Sequence, residues 1–268
     1  MDTTESTVVM CFSGLDPTGG AGIQADIETL ASMGCHASPV ITTITSQDTQ
    51  NVKGLIPLDV GTIVEQARAV LEDMPVHGFK IGLLGSVDAV EAVHSILQDY
   101  RNIPVVFDPV LRAGGGAMVS DPEIQDAMAS LLVPESTFIT PNSWEARMLC
   151  HEADNLDACA HELMDMGAEY VLLTGTHENT EKVINVLYGN SRMMDRYEWE
   201  RLPHDYHGSG CILASAVAAL LAQGLDPLAT AREAQEFTWQ SLKAAIRLGM
   251  GQWIPNRFFW AVGEESGE

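Results

Sequence analysis

Residues His207-Gly208-Ser209-Gly210-Cys211 stand directly before eleven small or apolar residues, Ile212 to Ala222. Two glycines and a serine leading into such a run predict a loop that opens a buried helix. The first amides of a helix have no partner inside it, and the helix dipole adds partial positive charge at that end. The loop is therefore suited to hold an anion. Cys211 falls in the predicted first turn, where a thiol is expected to ionise more readily than a free one. Gly208, Ser209, Gly210 and Cys211 are the first candidates for chemistry.

A second set is rich in oxygen, and each member follows a short apolar run: Asp16, Gln47, Asp108, Asn142, Glu145 and Thr174. Asp108, Asn142 and Glu145 are hard ligands suited to Mg²⁺, which keeps several waters and takes only one or two carboxylates. An anion loop beside such acids suggests phosphoryl transfer from a nucleotide. The ordinary reading is set against it: an Asp or Asn at the end of a strand more often caps a helix, and a cysteine heading an apolar helix is more often packing. Asp16 lies in Gly14-Leu-Asp-Pro-Thr-Gly-Gly-Ala-Gly22, whose glycines let a backbone approach a ligand closely. This turn is not a P-loop, because Gly20 stands where the lysine belongs, and it lacks the GxGxxG spacing of a dinucleotide site.

The elements that must position these residues read as strands and helices in alternation. Strands are expected over 7–13, 39–45, 78–84, 104–107, 136–140 and 169–173. Helices are expected over 20–33 and 59–73, after Ser86, after a Ser120–Glu123 capping box, from Pro141, and over 155–166. Residues 181–188 and 192–201 read as an antiparallel hairpin turning at Gly189-Asn190. The buried helix at 211–222 and a last helix over 226–247 complete the chain. At least five β-then-α units imply an α/β fold: one doubly wound, mostly parallel sheet flanked by helices, with the antiparallel hairpin at an edge. No linker or repeat divides residues 1–268, so a single domain is expected, with its core over about 7–250. Ligands in such sheets bind beyond the carboxyl ends of the strands, where all the candidates lie.

Thirty-seven acids against 14 lysines and arginines give a net charge of −23. That field disfavours nucleic acid and anionic membranes as partners. The apolar run 212–222 is too short for the ~20 residues of a spanning helix. The acidic start has no basic region of the kind a secretory leader carries. Five cysteines without CxxC pairing fit a reduced cytoplasm and argue against zinc. With few cations available, backbone amides, a helix dipole and Mg²⁺ would have to hold a nucleotide.

Taken together, the motifs resemble the ribokinase-like superfamily, and within it the hydroxymethylpyrimidine/phosphomethylpyrimidine kinases of thiamin synthesis. They are Gly14-x-Asp16-Pro-x-Gly-Gly-Ala-Gly-Ile-Gln-Ala-Asp26, Gln47-Asp-Thr49, Lys80-Ile-Gly-x-Leu84, Asp108-Pro-Val110, Thr140-Pro-Asn142-x-x-Glu145 and His207-Gly-Ser-Gly-Cys211. The resemblance implies that Gly208, Ser209 and Gly210 supply anion-hole amides and that Cys211 lies beside the attacking hydroxyl as base or polariser. It implies that Gln47 reads the aminopyrimidine edge and that Gly14, Asp16, Leu83 and Val110 line the substrate pocket. It further implies that Asp108, Asn142 and Glu145 handle Mg²⁺ and its waters, that Thr174 lies on the ATP side, and that the protein is a homodimer. The chain departs from the pattern at three lysines: Ala113-Gly114-Gly115-Gly116, Thr174-Gly-Thr-His177 and Gln235 stand where relatives often carry one. Arg112 and Lys80 are the cations left to compensate.

Three other readings compete. A pyridoxal kinase of the same branch is the nearest, but pyridoxal lacks the amidine edge that a carboxamide matches. A binding protein with a decayed site would explain the missing lysines. A Cys-His hydrolase would use Cys211 with His207.

Overall fold

In the computed structural model, which describes residues 6–261, the chain forms one nine-stranded sheet. The acidic start at residues 1–5 lies outside the described residues. Strand β1 (Val8–Leu15) leads into α1 (Gly22–Ser32), and β2 (His36–Gln47) turns back into β3 (Val52–Pro57). Next come α2 (Val60–Leu71), β4 (Gly78–Ile81), α3 (Val87–Asp99) and β5 (Val105–Phe107). Helix α4 (Pro122–Ala127) continues into one π turn, Met128–Leu132. Then follow β6 (Phe138–Ile139), α5 (Ser143–Leu149), α6 (Leu156–Asp165), β7 (Tyr170–Thr174), β8 (Lys182–Gly189) and β9 (Arg192–Glu200). Helices α7 (Ser209–Ala222) and α8 (Pro227–Lys243) close the series.

The strand order is β3-β2-β1-β4-β5-β6-β7-β8-β9. Strands β2, β1, β4, β5, β6 and β7 run parallel, while β3 at one end and β8–β9 at the other are antiparallel. Alternate residues of the parallel strands face opposite layers. Val9, Cys11, Val106 and Leu172 pack toward α1, α7 and α8. Met10, Phe12, Phe107 and Val171 pack toward the helices α2 to α6. Both faces are covered, which is why these strands read as continuous apolar runs. From β1 the chain moves outward to β2, then returns to place β4 on the other side of β1. The order therefore reverses between β1 and β4, and the crevice this opens at their carboxyl ends is where such sheets bind ligands.

The expected architecture is present, with local differences. Strand β3 was not expected: Val-Lys-Gly-Leu-Ile-Pro shows little alternation, and its pairing with β2 supplies what its sequence lacks. Asp121, not Ser120, caps α4 by accepting from the Ile124 amide at 2.9 Å, while Ser120 donates to the Leu111 carbonyl. Pro141 lies outside α5, whose N-cap is Asn142. The hairpin turns at Asn190-Ser191, both with positive φ, which suits the tight turn between β8 and β9.

Candidate active site

Helix α7 is preceded by Gly208 at its N-cap, whose φ of 76° is left-handed and whose position offers no side-chain cap. Ser209, Gly210 and Cys211 form its first turn, so their amides meet no capping group. A side-chain carbon on Gly208 would collide with the Gly20 carbonyl oxygen, so the anion loop sits directly on the glycine-rich turn after β1. A side-chain carbon on Gly210 would lie 3.7 and 3.8 Å from the two oxygens of Asp108. The end of β5 and the start of α7 therefore face each other across a short gap.

Asp108 is buried, and its Oδ2 has no hydrogen-bond partner. Burial pushes its carboxyl up to about 6 and Asp26 adds to this, while Lys80 and the Cys211 thiol pull it down. Glu145 is also buried; burial first, and Asp108 second, hold its carboxyl well above the usual carboxylate range. The carboxamide oxygen of Asn142 accepts from the amides of Trp144 and Glu145, both at 2.9 Å, and Glu145 Oε2 accepts from the Asn142 amide at 2.9 Å. This reciprocal capping box commits part of both side chains to holding α5. Thr174 bridges to Asn142 at the end of β7, its amide donating to the Pro141 carbonyl at 2.9 Å.

Cys211 corrects one expectation. Its thiol is pushed up to about 12, not down: burial is the largest cause, Asp108 and Asp26 add to it, and Lys80 and the Gly22 amide oppose it. Although the residue as a whole is only half-buried, desolvation of the thiol and the two carboxylates outweigh the helix terminus. Lys80 is fully buried below the loop, 3.0 Å from Asp26 Oδ1 and donating to Ser13 Oγ at 3.1 Å. Ser13 and Ser215 complete the shell by donating to the Asp26 oxygens. Burial works against the ammonium, but Asp26, Cys211 and Asp108 outweigh it and hold its pKa above the ordinary value. Lys80 thus reaches the site as a field and not as a phosphate contact.

The substrate-side candidates gather on the other wall. Gly14 sits where the β1–β2 register shifts past the extra residue Thr42 of β2, and a Cβ on it would lie 2.9 Å from Leu83 Cδ2, so Gly14 and Leu83 touch. Val110 follows Asp108 in a tight turn, its amide donating to the Asp108 carbonyl at 2.8 Å. Asp16 organises its own loop: Oδ1 accepts from the Thr18 amide at 2.8 Å, and Oδ2 accepts from Thr18 Oγ1 and the Ala21 amide, both at 2.9 Å. His207 Nε2 joins Oδ2 at 2.8 Å. Burial alone would raise the Asp16 carboxyl, but His207 and the Thr18 amide hold it below its ordinary value. Gln47 lines a cleft with Asp48, His207, Gln252 and the 113–115 loop. Pairwise contacts thus run from Thr174 through Asn142, Glu145 and Asp108 to the α7 start and on through Gly20 to Asp16 and His207, and Gln47 meets this chain only through the narrow cleft it shares with His207.

Sequence reasoning gave no role to Asp26, Gln252 or Arg257, and considered His207 only as a hydrolase base. Asp26 and Lys80 were visible in the motifs, but their pairing across 54 positions was not. The hydrolase fails on geometry: Nε2 of His207 is held by Asp16 and Nδ1 has no partner, so no Cys211–His207 bond exists. Gln235 is buried and accepts from Asn185 Nδ2 at 2.8 Å and Trp199 Nε1 at 2.9 Å, a packing role that a lysine could not fill. Arg112 is exposed, donates to the Gly116 carbonyl and lies over the Trp144 ring.

A model of the phosphomethylpyrimidine kinase family matches residues 16–256. The chain belongs to the phosphomethylpyrimidine kinase family. The thiamine biosynthesis bifunctional protein ThiED of Geobacter sulfurreducens is 36% identical over 244 residues, 90% of this chain. The chain spans about half of that protein, 49% of its length. The hydroxymethylpyrimidine/phosphomethylpyrimidine kinase of Bacillus subtilis is 33% identical over 261 residues, covering 93% of this chain and 94% of the relative. An ADP complex of Bacillus subtilis pyridoxal kinase superimposes with a TM-score of 0.88 at 29% identity, over 97% of this chain and 100% of that one. The resemblance drawn from the motifs thus holds for the family, for the ribokinase-like fold and for the phosphotransferase class. No helix among the described residues is long and apolar enough to cross a membrane.

Proposed function

We propose that the chain, acting as one kinase domain, transfers the γ-phosphoryl group of ATP to 4-amino-5-hydroxymethyl-2-methylpyrimidine and then to its monophosphate, in thiamin synthesis. One observation carries the reading: the uncapped start of α7 faces the buried Asp108, whose Oδ2 has no partner, and Gly208 sits directly on the glycine-rich turn after β1. The amides of Ser209, Gly210 and Cys211 point where charge develops on the transferred group, and fixed donors of this kind supply much of the rate in such reactions. The transition state of phosphoryl transfer is loose, so the hydroxyl need not be deprotonated before it attacks. Cys211 therefore acts as a polariser that orients the hydroxyl, its thiol staying protonated at neutral pH. Gly14, Asp16, Leu83 and Val110 wall the alcohol in, and Thr174 borders the nucleotide.

Asp108 fits a divalent cation. Its buried Oδ2 lacks a partner and its carboxyl is raised, and a hard cation answers both. Glu145 keeps one oxygen on the Asn142 amide, which suits contact through water. No cluster of three His, Cys, Asp or Glu groups among the described residues forms a metal cage, so Asp108 and Glu145 would hold Mg²⁺ together with nucleotide phosphates and water. There it would neutralise phosphate charge. The ADP-bound structural relative supports ATP as donor. A cytoplasmic homodimer completes the proposal.

Gln47 decides the substrate. A carboxamide presents one donor and one acceptor side by side, as the ring nitrogen and amino group of an aminopyrimidine require. Gln47→Leu is expected to raise KM for the pyrimidine alcohol by roughly 10- to 100-fold, the ~1–3 kcal/mol of a lost bidentate contact, with KM for ATP within about twofold. Steady-state kinetics check this, and an unchanged pyrimidine KM would remove Gln47 from recognition. Pyridoxal phosphorylation is the second reading, favoured by the fold shared with a pyridoxal kinase.

A further inference from the structure

The glycine-rich turn after β1 is held from behind by a residue beyond the matched family region. Arg257 is the one buried arginine among the described residues, 2% exposed. Its Nη1 donates to the Gly19 carbonyl at 3.0 Å and to Glu28 Oε2 at 3.0 Å, and its Nη2 donates to the Gly20 carbonyl. Its own carbonyl accepts from Ser32 Oγ at 2.7 Å, and the Asn256 amide donates to the Ser241 carbonyl at 3.0 Å. The segment is thus anchored to α1 and α8 before the guanidinium reaches the turn. A planar fork with fixed donors suits two successive carbonyls better than a point charge does.

Those two carbonyls matter because of what stands on their other side. With the Gly19 and Gly20 oxygens turned toward Arg257, the following amides serve the site: Gly20 N–H donates to Thr18 Oγ1 at 3.2 Å and Ala21 N–H to Asp16 Oδ2 at 2.9 Å. Asp16 in turn holds His207. Gly208 packs against the same Gly20 carbonyl, and Gly20 has no room for a side chain beside the His207 ring. Gly19, Gly22 and Gly208 all have positive φ, so this backbone is intrinsically permissive and needs an external restraint. We propose that Arg257 is a positioning residue for the active site: by clamping the Gly19 and Gly20 carbonyls it sets the seat of Gly208 and the Asp16–His207 pair, and so registers the substrate loop against the anion loop.

The inference rests on the phosphoryl-transfer reading, and its test separates the two. Arg257→Met keeps length and removes the donors; Arg257→Lys keeps one ammonium and is the variant safer for folding. With the alcohol that the wild type phosphorylates, kcat is expected to fall about 100-fold in Arg257→Met, the scale of a loop displaced by about 1 Å, and about tenfold in Arg257→Lys. Circular dichroism sets the assay temperature at which each variant is fully folded, so a loss of stability alone does not move kcat. Amide hydrogen exchange of the same proteins, without ligand, is expected to quicken at the hydrogen-bonded amides of 18–21 and of His207 and Ile212 on either side of the anion loop, while β5 and β6 stay protected. A folded variant with kcat within twofold of wild type, or with unchanged exchange at both His207 and Ile212, overturns the clamp. A wild type that phosphorylates neither alcohol overturns the functional reading instead, and exchange still decides the clamp.

Discussion

Replacing Cys211 by alanine is expected to lower kcat by at least about 100-fold, the low end of what a positioned side chain contributes to proton transfer and orientation. KM for ATP should stay within about threefold, because the amides of the α7 turn do not depend on the side chain. The thiol lies among Gly22, Asp108 and Lys80, where the substrate loop, the acid and the buried ammonium meet. Burial and the two carboxylates push it up to about 12. This makes a second result necessary. Were the thiolate the working form, kcat would climb about tenfold per pH unit from 7 to 9, because its fraction does so below its pKa. A polarising thiol leaves kcat flat over that interval. Steady-state kinetics of wild type and Cys211→Ala across pH 7–9 distinguish these outcomes, and a variant retaining near wild-type kcat would leave catalysis to the backbone amides alone.

Asp108→Asn is expected to have opposite effects on turnover and stability. Turnover should fall by roughly 10²- to 10³-fold, because the amide cannot serve a cation as the carboxylate does and the site loses its ionised partner opposite Gly210. Stability should rise. The carboxyl stands at about 6 in the folded chain against an ordinary value of 3.8. A raised carboxylate pKa means that the fold favours the protonated form. The stability contributed by protonation is fully present below about 3.8 and is lost as pH rises through 6. Asparagine mimics the protonated form at every pH. The variant should therefore gain ~1–3 kcal/mol at pH 8 in the presence of a chelator. For a chain of this size that is a rise in Tm of several degrees, at about 2–4 °C per kcal/mol. The gain should shrink to roughly half at pH 5 and vanish near the ordinary carboxylate value. Calorimetry at pH 5 and pH 8 checks it, and a variant less stable than wild type at pH 8 would show that Asp108 is not a buried charge held for function.

Much of this site was legible because its residues announce themselves locally. Gly208 to Cys211 is an interruption of polar and flexible residues before an apolar run, and a helix start there follows from composition alone. Asp108 and Asn142 end apolar strands, so a parallel sheet brings them to one rim. What was hidden depends on pairing across the chain or on competition between forces. Strand β3 is held by β2, not by its own pattern. The direction of the Cys211 shift depends on how much water three elements exclude, which spacing does not report. Arg257 reads as an ordinary basic residue in a mixed tail until its two glycine carbonyls are seen. Asn142 and Glu145 carried both meanings in the sequence. The structure shows the capping box plainly, and the raised Glu145 carboxyl keeps a role toward magnesium open to proposal.

The central claim is that the Gln47 crevice presents an aminopyrimidine alcohol to the α7 amides for phosphorylation by ATP. The most direct measurement is kcat/KM for ADP release with 4-amino-5-hydroxymethyl-2-methylpyrimidine and with pyridoxal, on the same wild-type preparation with Mg²⁺. A bidentate contact worth ~1–3 kcal/mol predicts a preference for the pyrimidine of at least about fivefold, with a second phosphate added on longer incubation. Turnover of pyridoxal with the pyrimidine ignored, or no alcohol-dependent ADP release at all, would contradict it.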